Sequence, residues 1–309
     1  MVHVSPIELI RVGRRFGARL ALDDVSLSVE PRTICVLAGP NGSGKTTLLK
    51  ILAGLLVPTT GHARLLGMDP RRRRREVMRR ARFAFAPPAL YDTLTGWEHL
   101  KHLGALGETD RRGARSQMQS ALDAVDLADR AHDRVRTYSF GMRQRLVLAL
   151  GLVPRPDVLL LDEPTDGLDP LAILELRRIV ARLRDEHGIT ILLSSHQLIE
   201  LEHLADELVV LNEGRVRFAG SPRQLCGEGR LRIEVPDASA AAACLRERRL
   251  DARVESETEL SLPAGSISLE AARRILGAAG IELRTFAHRR RPLHEALLEQ
   301  LRGKTPDLN

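Results

Sequence analysis

The sequence predicts an α/β fold with a largely parallel sheet, followed by a small α+β domain. Short apolar segments with the length of buried strands alternate with amphipathic segments of helical periodicity. A glycine-rich loop joins one of these strands, at 34–37, directly to a helical pattern. After the segment 220–230 the pattern changes to strand-like stretches separated by Ala-rich helices, which indicates a second, smaller domain.

The elements of the first domain follow in order along the chain. Two β-type segments come first, at 7–12 and 21–30, and a Gly-containing turn separates them. Leu and Ala recur at three- and four-residue intervals between 97 and 129, which predicts helices there. The later elements are a helix that follows 138–142 and ends at Pro154, a buried strand within 157–164, an amphipathic helix from Pro170 to Gly188, a strand at 189–196, a further helix, and a strand hairpin that turns at 212–214.

Composition argues against several classes of protein. The 309 residues, 43% apolar and 28% charged, are typical of a globular chain with room for one large domain and a smaller one. Three scattered cysteines without a CxxC pair argue against a disulfide framework or a zinc site and fit a reducing compartment. The N-terminus lacks a signal-peptide pattern, and the apolar run at 146–153 is too short to span a membrane.

Positive charge is concentrated in one segment. The formal net charge is +7, and eight arginines lie between positions 71 and 82. Such a segment favours nucleic acid, anionic lipid or phosphate ligands as partners. It is equally typical of a solvated face in an arginine-rich protein, so both interpretations stay open.

Residues 39–47, GPNGSGKTT, carry the strongest motif. They fit G-x-x-x-x-G-K-[ST] between a strand and a helix, which is the context expected of a phosphate loop. The glycines let backbone N–H groups close around phosphate oxygens, Lys45 neutralises the phosphates, and the Thr46 hydroxyl can bind Mg²⁺. The candidate nucleotide-binding residues here are Gly39, Asn41, Gly42, Gly44, Lys45, Thr46 and Thr47.

Two acids follow the predicted strand within 157–164. Asp162 is the expected second Mg²⁺ ligand beside Thr46. Because neighbouring residues on a strand point to opposite sides, we expect Glu163 to be free to polarise an attacking water molecule. Acids often begin loops after apolar strands. The catalytic interpretation of this pair therefore depends on the phosphate loop that precedes it in the sequence.

Four further positions are weaker candidates when taken alone. Ser139 and Gly141 open a helix, where they could bind an anion or where Ser139 could be only an N-cap. His196 follows a buried strand at the edge where parallel sheets bind ligands, yet a polar loop residue is the commoner explanation. Phe16 is an aromatic residue in a predicted turn, which is more often a packing residue.

These motifs, in this order, resemble the ATP-binding subunit of ATP-binding-cassette (ABC) transporters over about residues 5–220. The segments that carry the resemblance are 39–47, YSFGM at 138–142 followed by RQR, LLLDEP at 159–164, GLD at 167–169, and His196 after Ser194-Ser195. The resemblance implies a phosphate-loop NTPase core with antiparallel β and helical subdomains, the helical one at about 91–153. We accordingly expect an ATPase domain at 1–222 and an accessory domain at 223–309, for which the residue pattern predicts an α+β fold with the order βαββαβ.

The resemblance also implies roles for the weaker candidates. Ser139 and Gly141 would contact the γ-phosphate of ATP that is held by the phosphate loop of a second subunit. Asp169 would lie at the dimer seam, His196 would contact the γ-phosphate, and Phe16 would stack on adenine. ATP and Mg²⁺ are the implied ligands, and Glu163 and His196 the implied catalytic residues.

Two departures from the family pattern stand out. The signature segment reads YSFGM where the family has LSGGQ, although Ser139 and Gly141 are kept. Ala86 or a neighbour stands where the family has the Q-loop glutamine, and the first glutamine of the chain is Gln117. The first departure leaves the signature serine and its second glycine in place. The second puts the rate of hydrolysis, or its coupling to transport, in question.

The C-terminal extension resembles that of antibiotic-resistance and sodium-export ATPase subunits, whose membrane domain is a separate polypeptide. The expected partners are therefore a transmembrane permease and a second ATPase subunit, identical or different. The expected location is cytoplasmic, peripheral on the inner face of the cell membrane. The alternatives are an ATP-binding regulatory subunit with weak hydrolysis, and an ABC protein acting on nucleic acid. The sequence shows neither a second cassette nor long insertions, which argues against the nucleic-acid alternative.

Overall fold

A computed structural model describes residues 5–85, 90–103, 111–196, 204–227, 229–289 and 292–302. These residues form two compact units, one of residues up to Ser221 together with 300–302, and one of Pro222–Glu299. Each unit has its own apolar core. Ala86 and most of the helix predicted after His196 lie outside the described residues.

The first unit alternates strands with helices. Its strands are β1 (Ile7–Phe16), β2 (Arg19–Val29), β3 (Ile34–Ala38), β4 (Thr60–Leu65), β5 (Ala81–Phe85), β6 (Val158–Asp162), β7 (Thr190–Ser195), β8 (Glu207–Asn212) and β9 (Arg215–Gly220). Its helices are α1 (Lys45–Leu52), α2 (Arg74–Arg80), α3 (Gly96–Leu103), α4 (Arg111–Ala124), α5 (Phe140–Gly151) and α6 (Pro170–Asp185). This order confirms the predicted α/β class.

The larger sheet has the strand order β5-β6-β7-β3-β8-β9. Its first five strands are parallel, and β9 pairs antiparallel with β8 as the predicted hairpin. Every residue of β3, β6 and β7 is buried, because helices cover both faces of a parallel sheet. The structure therefore confirms the buried strands that the continuous apolar runs at these positions predicted.

A second, three-stranded antiparallel sheet has the order β2-β1-β4. Its first two strands are longer than predicted, because β1 continues to Phe16 and β2 begins at Arg19. The buried face of this sheet shares one apolar cluster with α1 and the larger sheet, through Leu9, Leu27, Leu48 and Leu160 among others. Helix α1 is therefore fixed between two sheets, and its first residue lies just beyond the carboxyl end of β3.

The predicted helical stretch at 97–129 comprises α3 and α4, with a 3₁₀ turn at Ala128–Arg130. Helix α4 packs against α3, α5 and α6. Leu100, Leu122 and Leu146 are completely buried. Residues from three helices thus form a layer beside the larger sheet, and this layer carries the start of α5.

The second unit is α+β, as predicted. Short helix α7 (Pro222–Cys226) precedes β10 (Arg230–Glu234), α8 (Ala238–Arg246), β11 (Arg253–Val254), β12 (Glu259–Pro263), α9 (Leu269–Ala278), β13 (Thr285–Arg289) and α10 (Leu293–Arg302). The strands from β10 to β13 pair antiparallel in the order β11-β12-β10-β13. Their order along the chain with α8 and α9 confirms the predicted βαββαβ pattern.

The arginine-rich segment forms the exposed helix α2 and the turn before it. Several of its guanidinium groups pair with neighbouring acids: Arg72 with Asp69, Arg73 with Glu76, and Arg80 with Asp157 at 2.6 Å. Exposed pairs of this kind add little stability and are compatible with a solvated face. Among the described residues, no helix has both the length and the apolar character needed to cross a bilayer.

Candidate active site

The loop between β3 and α1 requires glycine at two positions. A Cβ atom at Gly39 would lie 2.1 Å from the carbonyl oxygen of Leu211, and one at Gly44 would lie 2.7 Å from that of Ala21. Gly44 also has φ +110°, a backbone conformation that side chains other than hydrogen disfavour. The close approach of neighbouring backbone therefore fixes the path of the loop that leads to Lys45.

The start of α1 has properties that suit an anion. Gly44 is its N-cap and provides no side-chain hydrogen bond, and its first turn contains no acid. The Ser43 hydroxyl is shielded from solvent and has no hydrogen-bond partner among the described residues. A helix begins with unpaired N–H groups and a partial positive charge, so phosphate oxygens fit this loop.

We expect Gly39→Ala to destabilise the protein by about 1–3 kcal/mol, since the added methyl group meets backbone rather than a movable side chain. The same change should weaken ATP binding. Denaturant unfolding and nucleotide titration measure the two effects. Gly113→Ala is the control, because a Cβ at this helical position meets open space. This change should raise the free energy of unfolding by about 0.5–1 kcal/mol. A Gly39→Ala protein as stable as the parent would contradict this account.

Lys45 is buried and fully engaged. Its Nζ donates to the carbonyl oxygens of Gly39 at 2.8 Å and Pro40 at 3.2 Å. It also lies 3.1 Å from Oε1 of Glu163. The ammonium group is thus held at the mouth of the loop by one charge and two dipoles.

Thr46, Asp162 and Ser194 form a second polar group beside the loop. Thr46 donates to Oδ2 of Asp162 at 2.9 Å, and Ser194 donates to Oδ1 at 2.7 Å. Asp162 is 8% exposed. Carboxylate and hydroxyl oxygens are the ligand types that Mg²⁺ prefers, so these residues fit the predicted metal site. Ser194 was not recognised from the sequence, although it directly precedes Ser195 and the predicted His196.

The expected orientation of Glu163 is wrong. Strand β6 ends at Asp162, and Glu163 has φ +47°, so the alternation of side chains along a strand does not apply to it. The backbone N–H of Glu163 donates to Ser194 Oγ at 2.9 Å, which helps to hold this turn. Its carboxylate consequently faces the same loop as Asp162 and is paired with Lys45 rather than free.

His196 completes the cluster. It follows β7, and its Nδ1 lies 2.8 Å from Oε2 of Glu163, while its backbone N–H donates to the same oxygen at 3.2 Å. A carboxylate can only accept, so Nδ1 donates to Glu163 and Nε2 takes no part in this contact. The structure therefore brings together Lys45, Glu163 and His196 through the two oxygens of one carboxylate.

The remaining residues of the loop are more open. Asn41 and Gly42 are exposed, and Thr47 is half-buried on the first turn of α1. Gly42 has φ +80°, so the loop turns there in a conformation that favours glycine. These positions can offer backbone N–H groups to a ligand without moving side chains out of the way.

Ser139, Gly141 and Asp169 lie at the starts of two neighbouring helices. Ser139 is the N-cap of α5 and accepts from the N–H of Met142 at 3.2 Å, and Asp169 caps α6 by accepting from Ala172 at 2.8 Å. A Cβ at Gly141 would lie 3.1 Å from that of Ala172, so the two helix starts are close together. No hydrogen bond or ion pair among the described residues joins Ser139 or Asp169 to the phosphate loop at 39–47.

Phe16 is not in a turn and does not pack in a core. It is the last residue of β1 and 43% exposed, and the Arg14 guanidinium lies 4.4 Å from its ring centroid. The alternative that Phe16 is an ordinary packing residue is therefore disfavoured, and its stacking on adenine stays a prediction. The ring remains accessible to a planar ligand.

Comparison with known proteins identifies the family. A family model described as "ABC transporter" matches residues 22–166. The daunorubicin resistance ATP-binding protein DrrA3 of Streptomyces coeruleorubidus is 36% identical over 293 residues, which cover 92% of this chain and 92% of that protein. The bacitracin transport ATP-binding protein BcrA of Enterococcus faecalis is 35% identical over 217 residues, which cover 70% of this chain and 69% of that protein.

Solved structures agree with the sequence comparison. The structure of cbiO1 from Clostridium perfringens, described as part of the ABC transporter complex cbiONQ, matches with a TM-score of 0.67 and 25% identity. The match covers 72% of this chain and 90% of that one. The chain therefore belongs to the ABC transporter family, as an ATP-binding subunit with the phosphate-loop NTPase fold, and it is an ATPase.

Proposed function

We propose that this ATPase powers an exporter by forming an ATP-dependent dimer at the site described above. The observation that carries the proposal is the arrangement of Glu163, whose two carboxylate oxygens contact Lys45 and His196. A base, a cation and a second polar group thus converge beside a loop that is suited to phosphate. This is the set of groups that phosphoryl transfer to water needs.

The loop residues would bind the phosphates of ATP. Backbone N–H groups at 39–47 would surround the oxygens, and Lys45 would neutralise charge on the β- and γ-phosphates. Thr46 and Asp162 would hold Mg²⁺ beside them, since their oxygens already lie 2.9 Å apart. The metal would supply charge neutralisation at the phosphates. Ser194 would orient the carboxylate of Asp162.

Glu163 would be the general base, and its contacts suggest how it is controlled. A carboxylate oxygen that contacts an ammonium group is less accessible to an attacking water molecule than an oxygen without such a partner. Lys45 is shared between Glu163 and two loop carbonyls, so a γ-phosphate that attracts Lys45 would release one oxygen of Glu163 towards water. His196 would hold the other oxygen and direct Nε2 to the γ-phosphate.

Dimerisation would complete the site. Ser139 and Gly141 lie at the start of α5, and the start of a helix is suited to a phosphate. We assign them to the γ-phosphate held by a second subunit, with Asp169 at the seam between the two. The second subunit could be a copy of this chain or a different one. The exposed ring of Phe16 would stack on adenine after displacing Arg14.

A separate transmembrane permease would complete the transporter. The chain would attach to it at the inner face of the cell membrane, from the cytoplasm. Relatives named for daunorubicin resistance and bacitracin transport support an exporter of drug-like or antibiotic cargo. A nucleic-acid function is disfavoured because three arginines of the segment 71–82, namely Arg72, Arg73 and Arg80, pair with neighbouring acids.

Co-expression with a candidate permease tests this proposal. We expect the two proteins to co-purify, and export by the pair in vesicles to depend on ATP and on Glu163. Co-purification without ATP-dependent export, or export that persists in Glu163→Gln, would contradict the assignment.

A second candidate is an ATP-binding regulatory subunit with weak hydrolysis, favoured by Ala86 at the Q-loop position. We expect the parent chain to hydrolyse ATP with its permease, and Ala86→Gln to change turnover by less than about tenfold, or 1.4 kcal/mol of barrier. Ala89→Gln is the control for adding an amide to this segment. Negligible parent turnover that Ala86→Gln restores would favour the regulatory subunit instead.

A further inference from the structure

A cavity of about 300 Å³ lies in the first unit. It is at the amino ends of the strands of the larger sheet, whereas the phosphate loop at 39–47 follows the carboxyl end of β3. Arg155 and Ile189, which line it, precede the starts of β6 and β7. The active-site residues instead follow the ends of these strands. The cavity is therefore separate from the site of ATP, and α4 forms its other wall.

The floor of the cavity is apolar. Five of its residues are at most 7% exposed and carry hydrocarbon side chains; they come from α4, the residue after α5, α6 and the residue before β7: Ala121, Ala124, Leu152, Leu183 and Ile189. The volume of this cavity is roughly that of ten water molecules in the liquid. Such a floor favours a short hydrocarbon chain or a ring over water.

The rim of the cavity carries positive charge. Arg155 is exposed and donates to the backbone carbonyl oxygen of His187. Within the described part of the chain it pairs with no carboxylate. Burial, followed by the charge of Arg155, lowers the pKa of His187, while Glu186 acts in the opposite direction and Arg182 adds to the lowering. The exposed guanidinium group of Arg155 thus lies at the rim of an apolar cavity.

Two polar atoms near the cavity lack hydrogen-bond partners. The side-chain oxygen of Gln117, which lines the cavity, is shielded from solvent and unpaired among the described residues. Nε of Arg182 is likewise shielded and unpaired, although its Nη2 bonds to Asp126 and to the carbonyl oxygen of Ala124. Shielded polar groups normally have a partner, so these atoms indicate that polar contacts remain to be made here.

We propose that this cavity binds a small amphiphilic anion. Its carboxylate or phosphate head would lie at Arg155, whose planar fork of donors matches either group. Its apolar body would cover Ala121 and Leu152. The amide of Gln117 would contact the polar end of the ligand, because rotation of the amide can present either its oxygen or its NH₂ group.

Calorimetric titration of the full chain with octanoate, octyl phosphate and 1-octanol tests the proposal. We expect one or both anions to bind and the alcohol to bind much more weakly. Arg155→Gln should weaken anion binding by about tenfold or more, since it removes a charge-assisted hydrogen bond. Arg71→Gln, which removes the same charge from an exposed position on another segment, should leave it unchanged. Octanoate and octyl phosphate distinguish a fatty-acid source from a lipid phosphate.

Methyl NMR places the ligand. In protein labelled at alanine methyl groups, the signals of Ala121 and Ala124 should shift on titration with the anion that binds. The proposal would be overturned if neither anion bound, if the parent and Arg155→Gln bound the anion equally, or if binding left both methyl signals in place. Tight binding of 1-octanol would show an apolar cavity without selection for an anion, and would overturn it as well.

Discussion

Replacing Lys45 by alanine is expected to lower ATP turnover by about 10²–10³-fold, the range seen when one preorganised charge-stabilising group is lost. Lys45 is 5% exposed and is the charged donor at the mouth of the loop. Removal of Lys45 also leaves Glu163 with His196 as the partner of its carboxylate in the cluster. The negative charge of Glu163, no longer balanced by Lys45, would then oppose the approach of phosphate. Phosphate release and the binding of a fluorescent ATP analogue measure the two consequences.

Lys50→Ala is the matched control for this change. Lys50 lies on the same helix, is exposed, and occupies the last turn, so its loss should alter neither turnover nor ATP binding. Thermal unfolding of both variants separates a loss of function from a loss of structure. A Lys45→Ala protein that binds and hydrolyses ATP like the parent would contradict the assignment of the loop.

Replacing Glu163 by glutamine is expected to lower turnover by about 10²–10⁴-fold, because the amide cannot accept a proton from water. Glutamine keeps the shape of the side chain and relieves Lys45 of its charged partner. ATP binding should therefore persist or become stronger. An ATP-bound dimer should accumulate, and sedimentation velocity with and without ATP measures it.

Glu257→Gln controls for the loss of one negative charge, since Glu257 is an exposed residue of the second unit. It should hydrolyse ATP at the parent rate and form no additional dimer. Parent-like turnover in Glu163→Gln would show that another group is the base. If Glu163→Gln lost turnover but formed no ATP-dependent dimer, Glu163 would still be assigned as the base, and the proposed dimerisation would be contradicted.

Much of the fold could be predicted because its elements have strong local patterns. The apolar runs of β3, β6 and β7 reflect burial on both faces of a parallel sheet. The stretch 39–47 was recognised because its strand, loop and helix context is determined locally. Helix α6 was predicted as well, since its amphipathic pattern begins at Pro170 and Gly188 follows its end.

Other features depend on tertiary contacts and could not be predicted from local pattern. Strand β4 carries a short polar sequence that becomes a strand by pairing with β1. Glu163 was misplaced because its positive φ ends β6 one residue earlier than a strand pattern suggests. Ser194 was missed because its hydroxyl acquires a role only when β7 lies beside β6, where it reaches Asp162.

Calorimetric titration of the full chain with ATP in the presence of Mg²⁺ tests the nucleotide site most directly. We expect one ATP to bind per chain, and this binding to be strongly weakened in Lys45→Ala but not in Lys50→Ala. An absence of ATP binding by the parent, or binding that Lys45→Ala leaves unchanged, would contradict the claim that the loop at 39–47 is the nucleotide site.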